Sequence, residues 1–328
     1  MNADALNNLA DPAVLFFFLG LFVGFVRSNL EIPAPVAKFL SLYLLLSLGF
    51  KGGQALRESG FTADGAKVLS AAIVLALVIP VVAFSVLRRR VSPYDAAAIA
   101  ATYGSVSAVT FLAASQFVAD QGTPAGGYLT VALVLMESPA IVMAVVLATW
   151  VRTRDPAAAT AGHDSPRAKS VISHALTDGA NLLLIGSLVV GAITGPDGGA
   201  AMKPFVDGIF KGMLAFFLLE MGLLVARQLR EVRDIGPFLI GFALVVPLVD
   251  AALALGLGAA LGLSVGDLTL LAVLAASGSY IVVPAVVRFA IPEARPSRYL
   301  TMALAVTFPF NVVVGIPLYH AVAERLVG

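Results

Sequence analysis

Long apolar runs without charged residues follow one another along almost the whole chain. Residues 68–87, for example, read VLSAAIVLALVIPVVAFSVL. A helix needs about 20 such residues to cross the hydrocarbon core of a bilayer. Overall 59% of the residues are apolar and 12% are charged, whereas a soluble domain has about 25% charged residues. The sequence therefore predicts an all-α integral membrane protein.

Charged residues and Pro/Gly breaks divide the apolar sequence into ten predicted transmembrane helices, which we call spans one to ten. Most connections between them are short, and the longest is the polar, Ala- and Pro-rich stretch 152–174. The ten spans cover residues 13–29, 34–56, 66–87, 94–118, 127–151, 175–195, 204–226, 235–262, 266–290 and 298–323.

Lys and Arg are distributed unequally between the connections. If the spans alternate in direction, fifteen of the 21 basic residues fall on the side that carries the 152–174 linker. Cytoplasmic loops of membrane proteins are enriched in Lys and Arg. We therefore expect a multi-pass protein of the bacterial inner (plasma) membrane, with a cytoplasmic linker and both termini outside.

Several function classes lack their sequence signatures here. Cysteine is absent, which removes disulfides and thiolate metal sites. Walker A, GxSxG and HExxH motifs are absent too, so ATP hydrolysis and intramembrane proteolysis have no support. No long basic run predicts nucleic-acid binding. We expect neither an enzyme nor a cofactor, apart from a coupling ion.

The two halves of the chain share a pattern in spans four and nine. Asp95 precedes Ser107 by twelve residues, and Asp267 precedes Ser279 by the same distance. Because each half has five spans, an odd number, a duplicated second half is inverted relative to the first. The predicted units are a first repeat at 1–151, the linker at 152–174 and a second repeat at 175–328.

The Gly- and Ser-rich centres of spans four and nine form the predicted substrate site. These are Tyr103-Gly104-Ser105-Val106-Ser107 and Ser277-Gly278-Ser279-Tyr280. Small residues let a helix break, and the half-helix after the break presents free N–H groups that bind anions. Released carbonyls and Ser oxygens coordinate Na⁺. The alternative interpretation is tight helix packing, for which small residues are also common in membranes.

Acidic and amide side chains inside the spans are the predicted cation ligands. Glu137 lies near the middle of span five, where it binds Na⁺, carries H⁺, or satisfies the neighbouring helix break. Asn311 offers an amide oxygen at similar depth in span ten. Glu220 and Asp250 also lie inside spans, and we expect Lys51 and Lys211 as their structural partners unless they act in transport. Asp95 and Asp267 begin helices, where Asp is structural.

The segments LGFKGGQALRES, YGSVSAVTFLAA, LMESPAIV and the stretch from Ala275 through IPEARPSRYL to GIPLY resemble the cyanobacterial sodium-dependent bicarbonate transporter family. The resemblance extends over most of the chain. It implies a five-plus-five inverted repeat with core and gate domains, a homotrimer, and Na⁺-coupled bicarbonate uptake by an elevator-like motion. Carried over to this sequence, the substrate contacts are Gly104, Ser105, Val106, Ser107, Ala108, Thr110, Ser277, Gly278 and Ser279.

The chain departs from the family pattern at a few positions of the site. Glu137 replaces an Asp, and Tyr280 stands where an acid is expected, which removes one Na⁺ ligand. Val282 and Ser47 replace an expected Ser and Lys. Ser107, Glu137, Ser279 and Asn311 remain the predicted ion-binding residues, with Glu137 the charged ligand for Na⁺. Tyr103 and Tyr280 flank the breaks as predicted gates, although core packing explains each alone.

Three functions follow from these residues. The first is Na⁺-coupled symport of bicarbonate or a similar small anion. The second is H⁺-coupled transport of a small organic anion, with Glu137 carrying the proton. The third is a membrane scaffold or sensor that does not transport. Family members bind a PII-like regulator at the cytoplasmic face, but the short linker gives no reason to assume that partner here.

Overall fold

In the computed structural model the described residues are 11–60, 62–153 and 179–328, and every regular element in these ranges is a helix. The helices are α1 (Pro12–Phe25), α2 (Ala34–Ser59), α3 (Ala63–Leu87), α4 (Pro93–Tyr103), α5 (Ala108–Asp120), α6 (Tyr128–Arg152), α7 (Gly179–Lys203), α8 (Phe210–Gln228), α9 (Val232–Ile235), α10 (Pro237–Ala260), α11 (Val265–Ala275), α12 (Val282–Ala290) and α13 (Pro296–Val327).

Helix boundaries follow capping residues that are visible in the sequence. The Asp11 carboxylate accepts from the N–H groups of Ala13 and Val14 and starts α1, while the Thr62 hydroxyl accepts from Gly65 N–H and starts α3. These side chains satisfy N–H groups that have no acceptor within the helix. Gly60, just after α2, has a φ of 70°, the left-handed conformation that glycine adopts most easily at a helix end.

Within the described ranges, seven helical stretches are long and apolar enough to cross a membrane. One face of α3 is buried while Val74, Leu77 and Val81 on the opposite face are 46–50% exposed, as expected for a helix that contacts lipid. The integral membrane α-helical fold is therefore confirmed. The predicted linker 152–174 falls almost entirely on residues 154–178, outside the described residues.

Two helix pairs join the halves of the chain: α1 packs against α8, and α2 packs against α7. Glycine lets the backbones approach closely in both pairs. A Cβ on Gly222 in α8 would lie 2.2 Å from the Phe17 carbonyl oxygen, and one on Gly49 in α2 would lie 2.4 Å from the Leu184 carbonyl oxygen. Gly49 and Gly222 therefore make the same kind of close contact, each with a backbone carbonyl from the other end of the chain.

The remaining long helices pack beside these pairs and contain the helix breaks. α3 contacts α4 and α6, and α11 contacts α10 and α13. Helix α13 is irregular, with π-helical stretches at Met302–Thr307 and Asn311–Gly315. Such widened turns occur frequently at functional sites. The polar residues described below lie on this group of helices and on the faces of α2 and α7 that meet it.

Candidate functional site

Two transmembrane helices are interrupted at the Gly- and Ser-rich segments. The first stops at Tyr103 and resumes at Ala108, which leaves Gly104–Ser107 between α4 and α5. The second stops at Ala275 and resumes at Val282, which leaves residues 276–281 between α11 and α12. The helices before the two breaks, α4 and α11, are both 11 residues long. The sequence permits breaks at these positions, and the structure places them there.

The two broken helices begin in the same way. The Ser92 hydroxyl accepts from Asp95 N–H at 3.1 Å, and the Ser264 hydroxyl accepts from Asp267 N–H at 3.2 Å. Each Asp then holds the start of the long helix in the opposite half. Arg298 of α13 donates to the Asp95 carboxylate at 2.9 Å, and Tyr128 of α6 donates to the Asp267 carboxylate. Both aspartates therefore fix helix ends, the structural role expected from the sequence.

The two breaks contact each other directly. Ser107 N–H donates to the Ser277 hydroxyl oxygen at 2.9 Å, and Ser279 N–H donates to the Thr102 carbonyl oxygen, also at 2.9 Å. The Ser277 hydroxyl in turn donates to the Leu274 carbonyl oxygen at 3.0 Å. These bonds satisfy backbone groups that the breaks release, so the segments form one interlocked unit.

Serine side chains cap the half-helices that follow the breaks. The Ser107 oxygen accepts from Thr110 N–H at 3.2 Å and from the Thr110 hydroxyl at 2.9 Å. The Ser279 oxygen accepts from Val283 N–H at 3.2 Å. A cap satisfies one N–H of the first turn and leaves the others without an acceptor inside the helix.

A cavity of about 660 Å³, counting its open mouth, lies against both breaks. It is enclosed by α2, α5, α6, α7 and α8 and by the segment that leads into α12. Much of the wall is apolar, and the polar groups are few. The polar lining side chains are Ser41, Ser107, Glu137, Asn181, Ser279 and Tyr280.

The first turn of α5 faces this cavity. Val106, Ala108 and Val109 line it together with Ser107. The N–H groups of Ala108 and Val109 belong to the first turn and have no acceptor within the helix. A helix N-terminus carries roughly half a positive charge. The cavity therefore combines an anion-attracting helix end with the carboxylate of Glu137, which is 9% exposed.

The other predicted substrate contacts lie behind the cavity wall. Gly104 packs on Pro80, where a Cβ would come within 2.7 Å of the proline ring. Ser105 is 1% exposed, and its hydroxyl makes no hydrogen bond with the described residues. Gly278 faces Ala303. Thr110 and Ser277 are not lining residues and act through the hydrogen bonds given above.

The predicted gates and the predicted ligand Asn311 occupy different positions. Tyr280 lines the cavity, and its hydroxyl lies near that of Ser107. The Tyr103 hydroxyl is instead 2.6 Å from the Thr307 hydroxyl, on the far side of the break. Asn311 is also behind the wall, where its amide donates to the Ala276 carbonyl oxygen at 2.8 Å and its oxygen accepts from Tyr319 at 2.9 Å.

Ser41 and Asn181 line the cavity but were not among the predicted site residues. Each is an isolated polar residue near the start of an apolar span, and nothing local distinguishes it from other such residues. Ser41 and Asn181 reach the cavity only because α2 and α7 pack together beside the breaks. The sequence of either helix alone does not specify this packing.

The predicted pairing of Lys51 and Lys211 with Glu220 and Asp250 is wrong. The Lys51 ammonium is 2.9 Å from the Asp207 carboxylate, and the Lys211 ammonium is 2.7 Å from that of Asp120. Both lysine side chains are at least 40% exposed, whereas Glu220 and Asp250 are 9% and 6% exposed. Long cationic side chains reach acids at the wet helix ends more easily than acids inside the bundle.

A membrane protein whose described residues form only helices, and whose broken helices meet beside a cavity with a few polar side chains, has the architecture of a secondary transporter. The chain belongs to the Na⁺-dependent bicarbonate transporter superfamily, whose sequence profile matches residues 12–324. This confirms the family resemblance, and the family is one of transporters. No curated protein sequence matches the chain.

Proposed function

We propose that this protein is a Na⁺-coupled symporter of bicarbonate or a similar small anion. The observation that carries the proposal is the pairing, in one cavity, of the α5 N-terminus with the buried carboxylate of Glu137. The first group attracts an anion and the second attracts a cation. A site built in this way favours both ions together over either ion alone.

The anion binds at the start of α5. The N–H groups of Ala108 and Val109 donate to its oxygens, and the hydroxyls of Ser107 and Ser279 lie on the same cavity wall. Helix N-termini bind small anions through such N–H groups and through the helix dipole. A helix dipole contributes about 0.3–2 kcal/mol per charge, so the remaining affinity comes from the hydroxyls and the coupling ion.

Na⁺ binds beside Glu137, with oxygens of Ser107 and Ser279 as further ligands. Without a cation, the carboxylate repels the anion. Two like unit charges about 4 Å apart repel by about 4 kcal/mol at an effective dielectric constant of about 20. Na⁺ between them turns that repulsion into attraction. Asn311 has both amide groups engaged, and we therefore give it a bracing role in place of ion binding.

The proposal includes a five-plus-five inverted repeat, 1–151 and 175–328, joined by the linker 152–174. Helices α7 and α8, with the π-helical segment Pro204–Gly208 between them, form one 50-residue stretch, Gly179–Gln228. At 1.5 Å per residue it is about 75 Å long, which is too long for one crossing. Gly195, with a φ of 60°, interrupts it. If the chain crosses the membrane once before Gly195 and once after it, and if α4–α5 and α11–α12 each count as one crossing, there are ten crossings. Both termini then lie outside.

During transport, the broken helices α4–α5 and α11–α12 move relative to the helix pairs α1–α8 and α2–α7. The close glycine contacts make these pairs a rigid support. We propose a homotrimer in which the supports of three subunits meet, and a bacterial inner-membrane location. A PII-like regulator is not part of the proposal.

Uptake of labelled bicarbonate into proteoliposomes tests this function. We expect concentrative uptake with an inward Na⁺ gradient and none with an equal K⁺ gradient. Glu137→Gln should abolish Na⁺-driven uptake, because it removes the charge that attracts Na⁺. Glu220→Gln is the matched control, since Glu220 is an equally buried acid outside the cavity, and it should transport normally.

Other outcomes would redirect the proposal. Uptake driven by a pH gradient, and lost in Glu137→Gln, would favour H⁺ coupling and a different small organic anion. No uptake of any small anion by correctly folded protein would leave a scaffold or sensor, for which Tyr280 in place of an acid is the motivating residue.

A further inference from the structure

Asp250 is a buried acid that the proposed site does not use. It is the fourteenth residue of α10 and lies on the inward face with Ala243, Pro247 and Ala254. At about 1.5 Å per residue it is about 20 Å from the helix start, near the middle of the bilayer. It is 6% exposed. An ionisable residue at this depth is costly and is usually functional.

The Asp250 carboxyl makes no hydrogen bond or ion pair with any residue in the described ranges. Tyr103 at the end of α4 and Tyr319 in α13 both lie within electrostatic range of Asp250. Both could donate a proton to a carboxylate. Neither tyrosine does. Tyr319 donates to the Asn311 oxygen at 2.9 Å, and Tyr103 donates to the Thr307 hydroxyl.

The engagement of Tyr103 follows from a proline in α10. Pro247 has no N–H, so the Ala243 carbonyl oxygen four residues earlier loses its helical donor. The Thr307 hydroxyl donates to that oxygen at 2.8 Å. With its proton committed there, Thr307 acts as the acceptor in its 2.6 Å hydrogen bond with Tyr103. The two tyrosines therefore leave Asp250 without a donor.

Other titratable groups on the helices that pack against α10 have their own partners or lie at the helix ends. Lys67 in α3 pairs with Asp64, and Asp267 in α11 holds Tyr128. His320 in α13 contacts Thr269 of α11 and lies 3.5 Å from Glu324. Arg233 and Asp234 of α9 precede the first turn of α10. No basic side chain among these forms an ion pair with Asp250.

The surroundings of Asp250 are connected to both helix breaks. Tyr103 is the last residue of α4, and Tyr319 holds Asn311, which in turn holds the Ala276 carbonyl at the end of α11. Gly315 leaves room for this bond, because a Cβ there would lie 2.5 Å from the Asn311 oxygen. Helix C-termini carry partial negative charge, so a negative charge on Asp250, which acts on Tyr103 and Tyr319, disfavours this arrangement, and a neutral carboxyl permits it.

We propose that Asp250 is a proton-binding site, separate from the Glu137 cavity, whose proton stabilises the arrangement of the two breaks seen here. Loss of the proton favours a different arrangement, and the transport rate therefore depends on pH. A proton suits the site better than Na⁺. The Asp250 carboxyl has no hydrogen-bonding partner among the described residues, so a dehydrated Na⁺ would lack the further oxygen ligands that it needs. The consequence for transport rests on the proposed function, but proton binding does not.

Infrared difference spectroscopy of the full-length protein in lipid tests proton binding without requiring transport. Spectra taken between acidic and alkaline pH should contain a protonated-carboxyl band that disappears in Asp250→Asn. The band should persist in Glu137→Gln and should shift in Asp250→Glu, which keeps a carboxyl group if the amide variant folds poorly. A band that is unchanged in folded Asp250→Asn, or that Na⁺ removes at constant pH, would overturn the proposal.

Transport by the same proteins tests the consequence. Wild-type uptake at a fixed Na⁺ gradient should change several-fold with pH, and Asp250→Asn should make the profile flat. Tyr319→Phe should keep the infrared band and weaken the pH dependence, because it cuts the connection to Ala276. A wild-type pH profile in Asp250→Asn would overturn the coupling. If no anion is transported but the band is lost in Asp250→Asn, the proposed function fails and the proton site stands.

Discussion

The two broken helices are alike before the break and different after it. Both first halves have 11 residues, a Ser cap and an Asp in the first turn. After the break, α5 has 13 residues and starts at a side-chain cap, Ser107. α12 has nine residues, and its N-cap position, Ile281, provides no side-chain hydrogen bond; Ser279, two residues earlier, accepts from Val283 N–H instead.

The first turns of α5 and α12 also offer different groups to the cavity. In α5 the first three residues all carry N–H groups. In α12 the third residue is Pro284, which has none, and Tyr280 occupies the cavity wall before the helix starts. The two breaks thus share the parts that position them and differ in the groups that follow, which fits the proposal that one break is the better anion site. The comparison suggests that α5 binds the anion and that the second break mainly supports it.

The largest expected difference between the two breaks comes from replacing the glycine of each break, Gly104 or Gly278, by alanine. A Cβ on Gly104 would lie 2.7 Å from the rigid ring of Pro80, whereas one on Gly278 would lie 3.4 Å from the Ala303 methyl group. Gly104→Ala should lose about 1–3 kcal/mol of stability by overpacking and most of its transport. Gly278→Ala should remain close to wild type in thermal unfolding and in uptake. Equal effects of the two substitutions would contradict the assigned packing.

Removal of one hydroxyl from each break should have the next largest effect. Ser277→Ala leaves the buried Ser107 N–H without its acceptor, which costs about 1–3 kcal/mol. Ser105→Ala removes a hydroxyl that has no hydrogen bond in the described structure and should be nearly neutral. Thermal unfolding of the purified variants measures both. A larger loss in Ser105→Ala would show that the breaks do not interlock as described.

Removal of the caps distinguishes the two half-helices by function. Ser107→Ala and Ser279→Ala each remove one capping bond, worth about 0.5–2 kcal/mol. Because only α5 is proposed to hold the anion, Ser107→Ala should raise the KM for bicarbonate by about tenfold, which corresponds to about 1.4 kcal/mol. Ser279→Ala should raise it less. A greater effect in Ser279→Ala would assign the anion to the second break.

The smallest effect on transport should come from a substitution that makes the first turn of α12 resemble that of α5. Pro284→Ala returns an N–H to the first turn of α12. If α12 does not bind the anion, the KM for bicarbonate should change by less than about twofold, equivalent to about 0.4 kcal/mol. A marked fall in KM would show that α12 already contacts the substrate.

The sequence predicts the broken helices well because the cause is local. Gly104, Ser107, Ser277 and Ser279 carry both the flexibility and the capping groups, and Asp95 and Asp267 mark the helix starts. Apolar run length predicts the membrane fold for the same reason.

Contacts between distant helices could not be predicted in this way. The Thr307 bond to Ala243 requires a proline in α10 and a π-helical stretch in α13 to lie side by side. Lys51 and Lys211 pair with Asp207 and Asp120 instead of the predicted acids, because the charge pattern along one helix does not show which acids of other helices lie beside it. Ser41 and Asn181 become cavity residues only through the packing of α2 and α7.

The measurement that tests the central claim most directly is bicarbonate binding to the purified protein by calorimetry, with and without Na⁺. If both ions share the Glu137 cavity, Na⁺ should tighten bicarbonate binding, and bicarbonate should tighten Na⁺ binding by the same factor. Glu137→Gln should remove the coupling, and Glu220→Gln should retain it. Bicarbonate affinity that is the same with and without Na⁺ in the wild-type protein would contradict the account.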